Sequence, residues 1–153
     1  MFIYTVKWNK KLALAIIIAL ALLLCLLIVL SHVIGAEQSG GTQKLRTNAQ
    51  RIEFLESLGW EVSEEPIDEK VIVIPKEFSN VYTEYNKLQI AQGYDLSQYC
   101  GLEATIYTYD IYNYSGYSGT VVAELYILNH EIIGGDVHSL SLDGFMHGLR
   151  RMG

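Results

Sequence analysis

Two segments decide the fold of this chain: Thr105-Ile-Tyr-Thr-Tyr-Asp-Ile111 and, after a loop rich in Gly and Ser, Val121-Val-Ala-Glu-Leu-Tyr-Ile127. Successive side chains of a strand point to opposite faces, so the period of two in both segments predicts β-strands. Asn129-His130 then predicts a hairpin turn into a third strand, Glu131–His138. Gly134-Gly135 within that strand predicts a bulge or a close approach of another backbone. The sequence therefore predicts an antiparallel meander of about three strands.

Helical patterns precede the meander. Apolar residues recur at spacings of three and four in two segments: Leu45, Ala49, Ile52, Leu55 and Leu58, and then Phe78, Val81, Tyr82, Tyr85 and Leu88. Such spacing is typical of helices that bury one side. Thr47-Asn-Ala-Gln50 predicts a capping box for the first helix, with a start at Thr42 as the alternative, and Gly59 suits the position after its end. Between the helices, Val71–Ile74 is β-branched and favours a buried strand.

The order of these elements predicts the fold class. One helix, one strand and a second helix are followed by the meander, and such segregation is typical of an α+β domain. We expect about two helices packed on one face of an antiparallel sheet of about four strands. A parallel sheet is disfavoured, because the sequence contains a single strand–helix–strand unit.

An apolar run, Leu12–Leu30, contains 19 residues without a polar or charged side chain. As a helix it would span about 28 Å, close to the thickness of a membrane core. We expect a cytoplasmic tail at 1–11, a transmembrane helix at 12–34, a tether at 35–46 and an extracytoplasmic domain at 47–153. The orientation follows from Lys7, Lys10 and Lys11, because basic residues stay on the cytoplasmic side. The alternative is a signal peptide cleaved near Ile34-Gly35-Ala36.

Charge and cysteine content limit the function. Residues 37–153 contain eight basic and 17 acidic side chains, a net charge of −9, whereas residues 1–36 carry +3. Nucleic acid binding is disfavoured, because an acidic domain repels phosphate. Cys25 lies in the apolar run, so Cys100 has no disulfide partner within the chain. Cys100 is interpreted as a buried small side chain, with an intermolecular or redox-active thiol and a nucleophile as the alternatives.

Asp136, His138 and His147 are the residues most typical of an enzyme or a metal site. Asp136 and His138 are two apart on the predicted strand, so they share a face and could bind one metal ion together with His147. A surface or turn role is the preferred interpretation and the metal site the alternative, because the spacing matches no established metal motif. The chain contains no nucleophile elbow, phosphate loop or dinucleotide fingerprint. We therefore expect no catalytic residues and no cofactor.

Tyrosine is abundant in the predicted outer domain, which contains ten of the 11 in the chain. Tyrosine combines apolar area with a hydrogen-bonding tip and is common at binding surfaces. Tyr107, Tyr109, Tyr112 and Tyr126 could form a partner-binding face. The preferred interpretation is that tyrosine simply suits half-buried strand positions, with the binding face as the alternative.

Several motifs of the outer domain carry a resemblance: Gly59-Trp-Glu-Val62, Ile132-Ile-Gly-Gly-Asp-Val137 and Asp143-Gly-Phe-Met-His-Gly148. With these motifs, residues 51–149 resemble the domain of unknown function 4830 family, which comprises membrane-anchored envelope proteins of Gram-positive, clostridial-type bacteria. The resemblance implies a short tail, one membrane span and this domain. The family has no established activity, so the resemblance implies no catalytic residue.

These observations lead to one expected function and two alternatives. We expect a single-pass cell-membrane protein whose outer domain is not an enzyme and binds or regulates an envelope protein, a peptide or a wall component. The first alternative is an accessory subunit that acts through its transmembrane helix. The second is a metal-dependent envelope hydrolase that uses Asp136, His138 and His147.

Overall fold

The computed structural model describes residues 43–151 and, apart from them, Leu20 alone. The chain divides into two units, residues 1–39 and 40–153, and the fold given below is that of the second. No helix in the described part is long and apolar enough to cross a membrane. The predicted tail at 1–11, the predicted transmembrane helix at 12–34 and most of the predicted tether lie outside the described residues, Leu20 excepted.

Residues 43–151 contain two α-helices, a 3₁₀ helix and one antiparallel sheet of five strands in the order β1-β2-β3-β4-β5. The elements are α1 (Asn48–Ser57), β1 (Asp68–Val73), α2 (Asn80–Ile90), the 3₁₀ helix (Leu96–Tyr99), β2 (Glu103–Ile111), β3 (Val121–Leu128), β4 (Glu131–Ser139) and β5 (Met146–His147). The predicted α+β class is confirmed. The sheet has five strands rather than about four, because the two-residue strand β5 adds to the edge of β4.

Local signals in the sequence set the ends of α1. The hydroxyl of Thr47 accepts a hydrogen bond from the backbone N–H of Gln50 at 3.3 Å, and the Gln50 side chain accepts one from the N–H of Thr47 at 3.3 Å. This reciprocal pair is the predicted capping box. Gly59 follows the helix with a φ of 91°, a left-handed conformation that glycine adopts without strain.

The two helices lie on opposite faces of the sheet, which corrects the expectation that both cover one face. Phe54 and Leu55 of α1 pack with Tyr109 and its neighbours on one face. Aromatic side chains of α2 pack on the other face with Tyr126 and Ile133. The central strands bury side chains on both faces, so each face needs its own cover.

Strand β1 is exposed, although its β-branched sequence favours a buried strand. It forms the outer edge of the sheet and pairs with β2. Val71 is 63% exposed. The charged side chains of Asp68, Glu69 and Lys70 along this edge disfavour pairing with the strand of another molecule.

Residues at the end of the predicted tether belong to the folded domain. The N–H of Leu45 donates to the carbonyl of His130 at 2.7 Å, and the N–H of Ile132 donates to the carbonyl of Gln43 at 3.1 Å. The Leu45 side chain is buried in the core beneath α1. The chain therefore joins the sheet before residue 47, along the beginning of β4.

Candidate functional site

A bulge in β4 creates the site. Ile127 pairs with Ile132, but the next residue of β3, Tyr126, pairs with Gly134, so Ile133 is an extra residue in β4. The shift of one residue brings Glu124 directly opposite Asp136. In an unbroken ladder Gly135 would occupy that place, and the two carboxylates would point to opposite faces.

Glu124, Asp136 and His138 form a carboxylate–histidine cluster on the face that α2 covers. Nδ1 of His138 lies 2.7 Å from Oδ1 of Asp136. One oxygen or nitrogen atom from each of the three side chains lies within 4.8 Å of the other two. Asp136 is 1% exposed, while Glu124 and His138 are half-buried. Two carboxylates and an imidazole at this separation could hold a metal ion.

Helix α2 contacts the cluster through Tyr85. Its hydroxyl donates a 2.6 Å hydrogen bond to Oδ2 of Asp136, the oxygen that His138 does not contact. The ring of Tyr85 is in turn held against that of Tyr126, with 5.9 Å between ring centroids. On the opposite side, the hydroxyl of Thr108 lies 3.4 Å from Oε1 of Glu124. Asp136 is therefore fixed from two directions and Glu124 less tightly.

The proximity of these groups changes their affinity for protons. Burial raises the pKa of Glu124, and the neighbouring carboxylate of Asp136 raises it further. The hydrogen bond to Asp136 raises the pKa of His138 more than burial lowers it. Burial and the Asp136 carboxylate also raise the pKa of Tyr85, so its hydroxyl remains a neutral donor. Glu124, His138 and Tyr85 thus hold their protons more tightly than the same side chains would in water.

His147 does not belong to this cluster, which corrects the candidate trio of Asp136, His138 and His147. It pairs with Val137 across β4 and β5 and so points to the opposite face from Asp136. Its Nε2 lies 3.0 Å from the hydroxyl of Tyr114, and its ring stacks on Phe145. Glu124, which the sequence analysis missed, takes the third place in the cluster. The signal that could have identified it is Gly134-Gly135, since a bulge there shifts the register by one residue.

A groove of about 590 Å³ adjoins the cluster. Its lining residues come from α2, β3 and β5: Val81, Tyr82, Glu84, Tyr85, Leu88, Tyr126 and Met146. Met146 pairs with His138 across β4 and β5, so both point to the same face. Tyr85 also lines the groove while it contacts Asp136. Tyr85 therefore connects the groove to the cluster.

The four tyrosines considered as one binding face are separated. Tyr107 and Tyr109 lie on the face that α1 covers, whereas Tyr126 lies on the other. The hydroxyl of Tyr109, which is fully buried, accepts a 2.8 Å hydrogen bond from Nε of Arg51. Tyr112 is exposed beyond the end of β2. Alternation along β2 and the pairing of Tyr126 with Ile106 place these side chains on different faces.

Cys100 lies at the end of the 3₁₀ helix and is an exposed free thiol. The interpretation as a buried small side chain is therefore wrong. The 3₁₀ helix directs inward the side chain of Leu96, which is fully buried. Cys100 contributes no ligand atom to the carboxylate–histidine cluster.

Comparison with known protein families gave a match. The model of a protein family described as "Domain of unknown function (DUF4830)" matches residues 54–137, which is more than half of the chain. The matched region runs from α1 into β4 and includes Glu124 and Asp136. No curated protein and no solved structure matches the chain.

Proposed function

We propose that this chain, which belongs to the DUF4830 family, is a binding protein of the bacterial envelope rather than an enzyme. Its ligand is a peptide segment of a partner protein that combines apolar side chains with flanking basic residues. The binding site is the groove between α2 and the β3–β5 part of the sheet.

Apolar exposure in the groove is the observation that carries this proposal. Val81 on α2 is 81% exposed and Met146 on β5 is 51% exposed, and both line the groove. The rings of Tyr82, Tyr85 and Tyr126 form the walls between them. Burying apolar surface contributes about 25 cal/mol per Å², so a ligand that covers these side chains gains free energy of binding.

The net negative charge of the domain favours apolar ligands that also carry basic residues. Residues 43–151 contain eight basic and 16 acidic side chains, a net charge of −8. Glu84 is the charged residue among those that line the groove, and its charge is negative. Its ion pair with Lys87, at 2.7 Å, is largely exposed, and such pairs contribute only about 0.2–1 kcal/mol. Electrostatic complementarity therefore favours a basic ligand.

The proposed location depends on the N-terminal sequence. The apolar run Leu12–Leu30 and the lysines before it support a single membrane span with a cytoplasmic N-terminus. A protease added to intact cells should then digest the domain. A domain digested only after cell lysis would contradict the extracytoplasmic location.

Binding to the groove can be tested with the full-length protein in lipid nanodiscs. The probe is a fluorescent peptide with two leucines flanked by lysines, and its binding is measured by fluorescence anisotropy. We expect Val81→Asp and Met146→Asp to weaken binding by tenfold or more. Val71→Asp is the matched control, because Val71 is a similarly exposed apolar residue on the opposite edge of the sheet. Equal affinity of all three variants and the original protein would refute the groove as the binding site.

A further inference from the structure

We infer that Glu124, Asp136 and His138 form a binding site for a divalent transition-metal cation such as Zn²⁺. This site is distinct from the peptide-binding role of the groove and does not depend on it. The three side chains project from the paired strands β3 and β4, in the interior of the sheet rather than in loops. Such a support holds ligands in a fixed arrangement before the ion arrives.

The separation of the donor atoms suits one ion. Zn²⁺ binds oxygen and nitrogen ligands at about 2.0–2.2 Å in a tetrahedral arrangement, so two ligands of one ion lie about 3.3–3.6 Å apart. The donor atoms of the cluster lie within 4.8 Å of one another. On binding the ion, the half-buried Glu124 carboxylate, which contacts Thr108 at 3.4 Å, would move towards the other two ligands, and the 2.7 Å pair of Asp136 Oδ1 and His138 Nδ1 would open slightly. Water molecules can complete the coordination from the half-buried side.

The charge distribution independently favours a cation. Like charges directly opposite each other on paired strands destabilise a sheet, and Glu124 and Asp136 are such a pair. In the part of the chain that the structure describes, no lysine or arginine forms an ion pair with either carboxylate. His138 supplies at most one positive charge against two negative ones. A divalent cation would balance both carboxylates at once.

Tyr85 acts as a positioning residue for this site. Metal ligands in proteins are commonly oriented by hydrogen bonds from a surrounding layer of residues. The hydroxyl of Tyr85 donates to Oδ2 of Asp136, which leaves Oδ1 directed towards His138. Oδ1 and the imidazole nitrogen are therefore already adjacent, and the ion replaces the proton between them, which passes to solvent.

Zinc binding to full-length protein without an affinity tag tests the inference. The protein is stripped with EDTA, dialysed against Zn²⁺ and analysed by elemental analysis and calorimetry. We expect one Zn²⁺ per chain, at least tenfold weaker binding for Glu124→Gln, and loss of this binding for His138→Gln. His147→Gln is the matched control and should bind as the original protein does, because His147 points to the other face.

Two further measurements separate loss of the site from loss of the fold. Circular dichroism of each metal-free variant reports whether it is folded.

Tyr85→Phe tests the positioning role: it retains all three ligands and should weaken Zn²⁺ binding by about tenfold to 100-fold. With Co²⁺ in place of Zn²⁺, visible absorption should be present in the original protein and absent in folded His138→Gln. Absence of Zn²⁺ from the original protein, or equal effects of His147→Gln and His138→Gln, would overturn the inference.

Discussion

Glu124 on β3 lies directly opposite Asp136 on β4, and the bulge at Ile133 is the reason. The same bulge brings the backbone of Gly135 against the carbonyl group of Glu124 and the side chain of Leu149. Gly135 packs against Leu149 on one face of the sheet, and its neighbour Asp136 holds its carboxylate on the other face. The packing and the position of the carboxylates therefore depend on each other. A change at Gly135 should affect both.

Gly135→Ala tests this close packing. A Cβ atom at Gly135 would lie 2.5 Å from the carbonyl oxygen of Glu124 and 2.8 Å from Cδ1 of Leu149. Overpacking of this kind typically lowers the free energy of unfolding by about 1–3 kcal/mol. Urea denaturation measures the loss. Gly134→Ala is the control with a smaller expected loss, since its Cβ would meet side-chain atoms at 3.0 Å or more; equal losses would contradict the packing argument.

Tyr109→Phe tests the structural role of a tyrosine that the sequence suggested as part of a possible binding face. Its hydroxyl accepts a hydrogen bond from Arg51 at 2.8 Å and donates one to Asn48 at 2.7 Å. Removing it leaves the buried guanidinium group of Arg51 without this acceptor, at a cost of about 1–3 kcal/mol in unfolding free energy. Thermal or urea unfolding measures this cost. Tyr112→Phe, at a side chain that is 69% exposed, should change the stability by less than about 0.5 kcal/mol.

Asp95 gives a pH dependence with a defined sign. Hydrogen bonds, above all from Asn86 and also from Ser97, lower the pKa of its carboxyl group from 3.8 to about 2. The stabilisation from the ionised group is therefore present above pH 3.8 and is lost as the pH falls towards about 2. A ¹³C NMR titration should give a midpoint near 2, and Asp95→Asn should flatten the pH dependence of stability in that window. A midpoint near 3.8 would show that these hydrogen bonds do not favour the ionised form.

Leu149→Ala tests whether the C-terminal segment belongs to the folded core, although the family match ends at residue 137. The Leu149 side chain is buried in the core with Trp60, and its carbonyl accepts a 2.6 Å hydrogen bond from Nε1 of Trp60. Truncating a buried leucine typically costs about 2–5 kcal/mol. Tryptophan fluorescence during urea denaturation measures the change. Arg150→Ala, at an exposed neighbouring position, is the control; a comparable loss there would argue against a core role for Leu149.

Features set by local chemistry were predictable from the sequence. The capping box at Thr47 and Gln50 depends on groups within one turn of the chain. The turn at Asn129-His130 is equally local, and both residues have the positive φ values, 51° and 68°, that a two-residue hairpin turn requires. A bulge or a close backbone approach was expected at Gly134-Gly135, and the structure has a bulge at the adjacent Ile133. Apart from β5, the types of the predicted helices and strands and their order therefore followed from short-range patterns.

Features that depend on distant parts of the chain were not predictable in the same way. Both faces of the sheet carry apolar side chains that must be buried, so one helix covers each face. Tyr109 and Tyr126 consequently lie on different faces, each beneath a different helix. The exposure of Val71 reflects the edge position of β1, which its β-branched sequence does not encode. Glu124 entered the site through a shift of one residue in pairing. The alternation along one strand therefore does not reveal which side chains of two strands meet, unless the register between the strands is also known.

The pairing of Gln43 and Leu45 with the beginning of β4 has a mechanical consequence. A pull on the preceding chain meets resistance first at two backbone hydrogen bonds, Leu45 N–H to His130 and Ile132 N–H to Gln43. Tension then passes into β4 itself. The strand that contains Asp136 and His138 is thus the first part of the sheet to bear such a load.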